Sequence, residues 1–340
     1  AALPEEQKKL GLEIKQSNLC SEITLPTNEE RTAVCCLSSV NLEHFDEWSK
    51  VDTFIPDLIT MLDNVLQNFI DGVAGQSGYS KAAYSAMRER SVGLGAMGFH
   101  SYLQKNNIAF ESMYASSFNN KAFSYIKDRA SATTRKLAEE RGEAPDMKGS
   151  GKRNAHLLAI APNASSSIIC GGTSPSIEPN RANVYTHKTL TGSFKVKNKY
   201  LDDLLLELVP SKKKRDEIWK DIAAHEGSVQ HLDILSDAQK EMFKTAPEIN
   251  QIWIIEHAAM RQKYVCQSQS VNLFFKTPSI EADQETHDVF LQYLNDVHWA
   301  GIHKLKSLYY LRSNAARNTE NVNIKIPKIN LEEEGCLSCE

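Results

Sequence analysis

Residues 154–162, NAHLLAIAP, constrain the fold of this chain more than any other stretch. The run is short, continuously apolar over its second half, and ends at Pro162. A strand covered on both faces needs that composition, whereas a half-exposed strand would alternate apolar and polar residues. Strands of that kind belong to parallel sheets flanked by helices. The surrounding sequence offers both kinds of partner. Residues 20–42 read as short extended pieces, EITLPT and TAVCCLSSVNL, divided by the turn signal TNEER. Residues 51–73 form an amphipathic helical pattern with Phe54, Leu58, Leu62, Val65, Leu66 and Phe69 on one face, and a second helix is expected over 119–141. Strand–helix–strand alternation predicts an α/β architecture.

Beyond about residue 190 the character changes. Helical patterns cover 200–209, 212–224, 248–265 and 280–313, the last preceded by Thr277-Pro278 and opened by Glu281, Asp283 and Glu285. The closing stretch PKINLEEEGCLSCE has no periodic face and reads as a mobile tail. These shifts predict three parts: 1–190, a mostly helical 191–326, and a tail over 327–340.

The net charge of −4 gives no reason to expect a general nucleic-acid or membrane surface, so any phosphate recognition must be local. No run of about 18 apolar residues and no signal-peptide core occurs, which makes a cytoplasmic location the expectation. The seven cysteines, Cys20, Cys35, Cys36, Cys170, Cys266, Cys336 and Cys339, are an odd count. In a long chain without a signal, that argues against a disulfide framework and leaves redox, metal or nucleophilic chemistry for any thiol that is not simply buried.

Several motifs offer chemistry. GLGAMG (93–98) matches the dinucleotide fingerprint G-x-G-x-x-G, but it follows the helix-like YSAMRERSV and lacks the strand–turn–helix context, so a Gly-rich turn into a helix near Met97 is expected. In APNASSSIICGG (161–172) a strand ends at Pro162 and a helix begins, placing free N–H groups beside Ser165, Ser166 and Ser167; this is an anion site or an ordinary serine-capped helix. The terminal CLSC is a C-x-x-C dithiol that cannot complete a tetrahedral zinc site alone and suits thiol–disulfide exchange. Tyr309 and Tyr310 stand adjacent near the end of the expected long helix, where neighbours do not share a face. No H-E-x-x-H, P-loop or G-x-S-x-G occurs.

Taken in order, SNLCSEI, AVCCLSSVNL, APNASSSI, SIEPNRANVYT, QSQSVNLFF, LYYLR and a terminal C-x-x-C resemble the large (alpha) subunit of class I, aerobic ribonucleotide reductase. The resemblance runs from about Gln16 to the last residue. It implies the second half of a ten-stranded α/β barrel with a catalytic finger loop, then a mostly helical C-terminal domain and a redox tail. The implied activity is reduction of ribonucleoside diphosphates to deoxyribonucleoside diphosphates by a thiyl radical.

The resemblance also implies roles. Cys20 would become the thiyl that abstracts the ribose 3′ hydrogen, Glu22 would take the 3′-OH proton, and Asn18 would bond the substrate hydroxyls. The i, i+2, i+4 spacing of these three is expected to align them on one side of an extended loop. Cys35 would be one thiol of the pair that reduces the 2′ carbon, with Cys36 on the opposite face as a packing thiol. The turn Pro162, Asn163, Ala164, Ser165 and Ser166 would hold the diphosphate. Tyr309 and Tyr310 would end a radical-transfer path, and Cys336 and Cys339 would re-reduce the active-site disulfide. Neither Cys170 nor Cys266 matches a reducing-pair motif.

Implied partners are a metal-containing small (beta) subunit that supplies the radical, thioredoxin or glutaredoxin as reductant, and a separate polypeptide carrying the first half-barrel with the effector-nucleotide site and the second reducing thiol. No metal is expected on this chain. A non-catalytic interaction subunit of the same fold is the rival reading, and a dehydrogenase built on GLGAMG a distant third.

Overall fold

The computed structural model describes residues 3–189, 192–279 and 281–314. Its framework is a succession of parallel pairings. Strand β1 (Cys36–Asn41) pairs in parallel with β2 (Val92–Met97), Cys36 opposite Val92 and Asn41 opposite Met97. Parallel neighbours require a crossover, and α1 (Phe54–Gly72) and α2 (Ser80–Glu89) provide it. Ile55, Ile59, Leu62 and Leu66 recur at helical spacing on α1 and are buried, which turns one face of that helix into core.

The apolar run behaves as its composition requires. Leu158, Ala159 and Ile160 are essentially inaccessible. Leu94 bridges Leu158 in parallel, and Ile160 bridges Gln269 in parallel. The ladder continues beyond the hairpin of β3 (Val184–Thr189) and β4 (Gly192–Lys197): the backbone N–H of Ser270 donates to Ile160 O at 2.8 Å, and β5 (Leu273–Lys276) pairs in parallel with β6 (Leu311–Asn314). One apolar core follows these pairings from Val40 to Val297, so the sheet does not stop where the sequence changes character near residue 190. The β3–β4 hairpin and the helices Lys199–Leu208 and Lys212–Ala224 contribute to a second, smaller core built on Val184, Leu201, Leu205, Trp219 and Ile222.

Two local expectations need correction. GLGAMG is not a turn: residues 92–97 are strand β2 itself, and the helix that follows starts at Phe99 after a left-handed Gly98. The glycines are there for close approach. A Cβ at Gly93 would lie 2.4 Å from Leu37 Cδ2, and one at Gly95 would lie 2.6 Å from the Ala159 carbonyl oxygen. Second, the last long helix runs only over Gln284–Lys304, capped by the Asp283 side chain on the Thr286 N–H, and the chain after it turns into β6. The antiparallel β3–β4 hairpin lies just ahead of the first helical pattern at 200, where no element is expected. Among the described residues no helix is long and apolar enough to cross a membrane.

Gly95→Ala should therefore destabilise the fold by about 1–3 kcal/mol, the usual cost of overpacking where backbone must move. Urea unfolding of the two proteins side by side measures it.

Candidate active site

Asn18, Cys20 and Glu22 are placed by a reverse turn. The Asn18 carbonyl accepts from the Ser21 N–H at 3.1 Å, its Oδ1 accepts from the Ile23 N–H at 3.0 Å, and its own N–H donates to Ile23 O at 3.3 Å. Ser21 adopts a left-handed φ of 64° to close the loop. The expected extended backbone is therefore corrected: a reverse turn, stapled by the Asn18 side chain on the Ile23 N–H, carries the three residues. Cys20 lies half-buried at the apex, Glu22 is buried below it, and Asn18 is exposed.

The 267–270 strand and Ser307 hold this loop in place. Ser270 Oγ is within hydrogen-bond reach of the Cys20 carbonyl and lies 3.2 Å from Glu22 Oε2. The Ser268 N–H donates to Glu22 O at 2.9 Å. Ser307 Oγ donates to Ser21 O at 2.8 Å and bonds the Ser268 hydroxyl. The Cys20, Ser21 and Glu22 carbonyls and the Glu22 carboxylate thus each meet a donor, as a loop packed inside a fold requires, while the buried Ser21 and Thr24 hydroxyls have no partner among the described residues. The polar run QSQS carries its own signal of this holding task, since a buried strand would otherwise be apolar.

Tyr309 and Tyr310 lie beyond the helix, in the irregular segment leading to β6, which removes the objection that adjacent residues cannot share a face. Their rings are 4.0 Å apart between centroids. The Tyr309 N–H donates to Val271 O and the Leu273 N–H to Tyr310 O, both at 2.9 Å, so pairing with the adjoining strand fixes the doublet. Burial pushes the Tyr309 phenol up, and its hydrogen bonds to Cys20 and Tyr310 push it further. It stays protonated, bonded on one side to the apex thiol and on the other to a tyrosine that reaches the surface.

Cys35 and Cys36 divide as strand geometry demands. Cys36 packs against the large core. Cys35 Sγ lies on the side kept open by Gly93 and accepts from Gln267 Nε2 at 3.4 Å. Burial pushes the Cys35 thiol up, the Gln267 bond only partly offsetting it. Gln267 is itself fully buried and also accepts from the Thr24 N–H at 3.3 Å, linking the base of the loop to the Cys35 thiol. Cys266 is occupied otherwise, its sulfur accepting from the Leu157 and Leu158 N–H groups, and Cys170 is exposed. Cys336 and Cys339 lie outside the described residues.

The Pro162–Ser166 turn sits at the carboxyl ends of β1 and β2. Asn163, at a left-handed φ of 54°, accepts from Ser39 Oγ at 3.1 Å and donates to Ala96 O at 3.2 Å. The short helix Ala164–Ile169 follows. Ser165 and Ser166 are exposed, while Ser167 turns inward and bonds Ala164 O. A cavity of about 610 Å³ opens beside the turn, with Ala164 and Ser165 on one wall and Arg181, Lys197, Lys199 and Tyr200 on another. Among the described residues one cluster has metal-ligand geometry, the exposed Asp221, His225 and His231. It belongs to the helix Lys212–Ala224 and the loop after it, on the small second core.

A parallel ladder, a thiol on a stapled loop and a tyrosine doublet bonded to that thiol together describe one kind of domain. The sequence matches the family description "Ribonucleotide reductase, barrel domain" over residues 4–151 and 146–311. The chain belongs to the ribonucleotide reductase family. It is 48% identical over 94% of its length to the ribonucleoside-diphosphate reductase large subunit of Invertebrate iridescent virus 3, of which it covers 49%. It is 46% identical over 98% of its length to the putative large subunit of Frog virus 3, of which it covers 56%. The class Id ribonucleotide reductase alpha subunit of Actinobacillus ureae superposes with a TM-score of 0.80 at 40% identity, over 92% of this chain and 56% of that one. The reductase chain thus spans about half the length of the curated relatives it matches, and its α/β fold is that of the reductase barrel. The dinucleotide reading of GLGAMG falls with this fold, because Gly93 and Gly95 lie inside a barrel strand and Gly98 follows its end.

Proposed function

We propose that this chain carries the catalytic part of a ribonucleotide reductase large subunit, reducing ribonucleoside diphosphates to deoxyribonucleoside diphosphates through a thiyl radical on Cys20. The observation that carries the reading is the Tyr309 phenol hydrogen-bonded between Cys20 and Tyr310. A tyrosine that stays protonated gives up an electron only as its proton leaves, and the Cys20 thiol is the adjacent group from which a hydrogen can be recovered. The net step regenerates Tyr309 and leaves the radical on sulfur.

The Cys20 thiyl then takes the 3′ hydrogen of the ribose, and Glu22 accepts the 3′-OH proton. The 2′ oxygen leaves as water, two electrons come from Cys35 and a second thiol as they join in a disulfide, and Cys20 returns the hydrogen to the 3′ carbon. Burial keeps Cys35 a thiol, able to deliver a hydrogen with its electron. The Pro162–Ser166 turn, at the carboxyl ends of parallel strands, is where an α/β fold receives a phosphate. Asn18 serves by holding the loop, and its amide nitrogen can still meet a substrate hydroxyl.

The remaining half of the large-subunit fold, on a separate polypeptide or elsewhere on a longer one, supplies the second reducing thiol and the effector-nucleotide site. A radical-generating small subunit meets the Tyr310 side. Cys336 and Cys339 pass electrons from thioredoxin or glutaredoxin to the spent disulfide.

Glu22→Gln should cut deoxynucleotide formation by about 10²–10⁴-fold, the usual worth of a positioned general base. Nucleotide affinity should hardly change. Unchanged turnover in the assembled enzyme would favour the rival reading, a non-catalytic subunit of the same fold.

A further inference from the structure

Glu178 is a buried carboxylate that the mechanism above does not use. It is 3% exposed and lies on a loop with little freedom: the Glu178 N–H donates to Pro175 O at 3.1 Å, Ser176 is left-handed, and the Asn180 N–H donates to the buried His100 Nδ1 at 2.9 Å. Glu178 Oε1 accepts from the side-chain amide of Asn272, itself 2% exposed. Asn272 Oδ1 in turn accepts from the backbone N–H of Tyr310 at 3.0 Å. From the other direction the Arg312 guanidinium stands 4.9 Å from the centroid of the Tyr310 ring and feels the charge of Glu178. Two routes therefore run from one buried carboxylate to one tyrosine, the first through its backbone and the second over its ring face.

We propose that Glu178 is the positioning residue of the outer tyrosine, fixing Tyr310 through Asn272 and setting the charge over its ring through Arg312. The inference rests on the radical-transfer role of Tyr310 given above. A cation against a ring face makes that ring harder to oxidise, and a carboxylate that draws Arg312 toward itself moderates the effect. The amide relay matters separately, because electron transfer between Tyr310 and Tyr309 depends on holding the rings at their 4.0 Å spacing.

Among the described residues, the charged groups that act on the carboxylate are Arg181 on its own loop and Arg312 on β6. Burial pushes Glu178 up to about 7, against the pull of Arg181, Asn272 and Arg312. The carboxylate is charged above that pH and neutral below it. Transfer through Tyr310 should thus weaken as pH falls through about 7.

The test uses the assembled enzyme, with the rest of the large subunit and the small subunit present, and 3-aminotyrosine at position 310 as a radical trap. With Glu178 in place, substrate should elicit an aminotyrosyl radical visible by electron paramagnetic resonance. Glu178→Gln keeps an acceptor for Asn272 but removes the charge. It should alter the radical's hyperfine pattern, slow its formation by roughly tenfold, as expected for losing one charge-assisted contact, and abolish the pH dependence near 7. Arg312→Gln, which leaves the loop untouched, should change the spectrum independently.

A purely structural Glu178 would lower thermal stability in Glu178→Gln while leaving spectrum, rate and pH profile unchanged, and that result overturns the proposal alone. Failure to form any radical at position 310 with Glu178 present would overturn the radical-transfer reading and the proposal with it.

Discussion

Cys20→Ala should abolish deoxynucleotide formation, a loss on the order of 10⁴-fold or more, comparable to removing a nucleophile whose neighbours cannot substitute for it. The fold gives a reason to expect a clean result. The loop is held by the Asn18 side chain, by backbone atoms of Asn18, Ser21 and Ile23, and by Ser268, Ser270 and Ser307, and none of these contacts involves the Cys20 sulfur. The variant should therefore bind nucleotide normally and unfold at nearly the wild-type urea concentration. Cys35→Ala is informative beside it. It removes the reductant but leaves the radical site, so the 3′ hydrogen should still be abstracted while no deoxynucleotide accumulates.

Tyr309→Phe should match Cys20→Ala in severity for a different reason. The ring, its packing against Tyr310 and the backbone bond to Val271 all remain. Only the hydroxyl that joins Cys20 to Tyr310 is lost. A phenylalanine ring has no proton to release with its electron, so the thiyl cannot form even though every group that touches substrate is present. Turnover should fall to background with nucleotide binding intact. Substantial residual turnover would mean that the radical reaches Cys20 by another route.

Much of this site was legible in the sequence because its chemistry is carried by short, ordered motifs. The thiol, the carboxylate two residues on and the tyrosine doublet need no tertiary information to be noticed. The apolar run at 154–162 announced a doubly covered strand because composition alone distinguishes such a strand from a half-exposed one. Geometry was less legible. The spacing of Asn18, Cys20 and Glu22 suits an extended strand equally well, and only the Asn18 side chain bonding the Ile23 N–H reveals a turn. The glycines of β2 looked like a turn because their close approach to Leu37 and Ala159 is a contact between distant residues. The helical pattern through residue 313 overran its true end at Lys304 because Leu308, Tyr309 and Leu311 suit strand and helix alike. Ser268, Ser270 and Gln267 went unassigned for the same reason, since what they hold is the loop at the other end of the chain.

The account stands on the connection between Tyr310, Tyr309 and Cys20. Its most direct test is 3-aminotyrosine at position 309 in the assembled enzyme, read by electron paramagnetic resonance after adding substrate. The account predicts a radical at position 309 that disappears when Tyr310→Phe is introduced. Deoxynucleotide formation with no radical at 309, or a radical there undiminished by Tyr310→Phe, would contradict it.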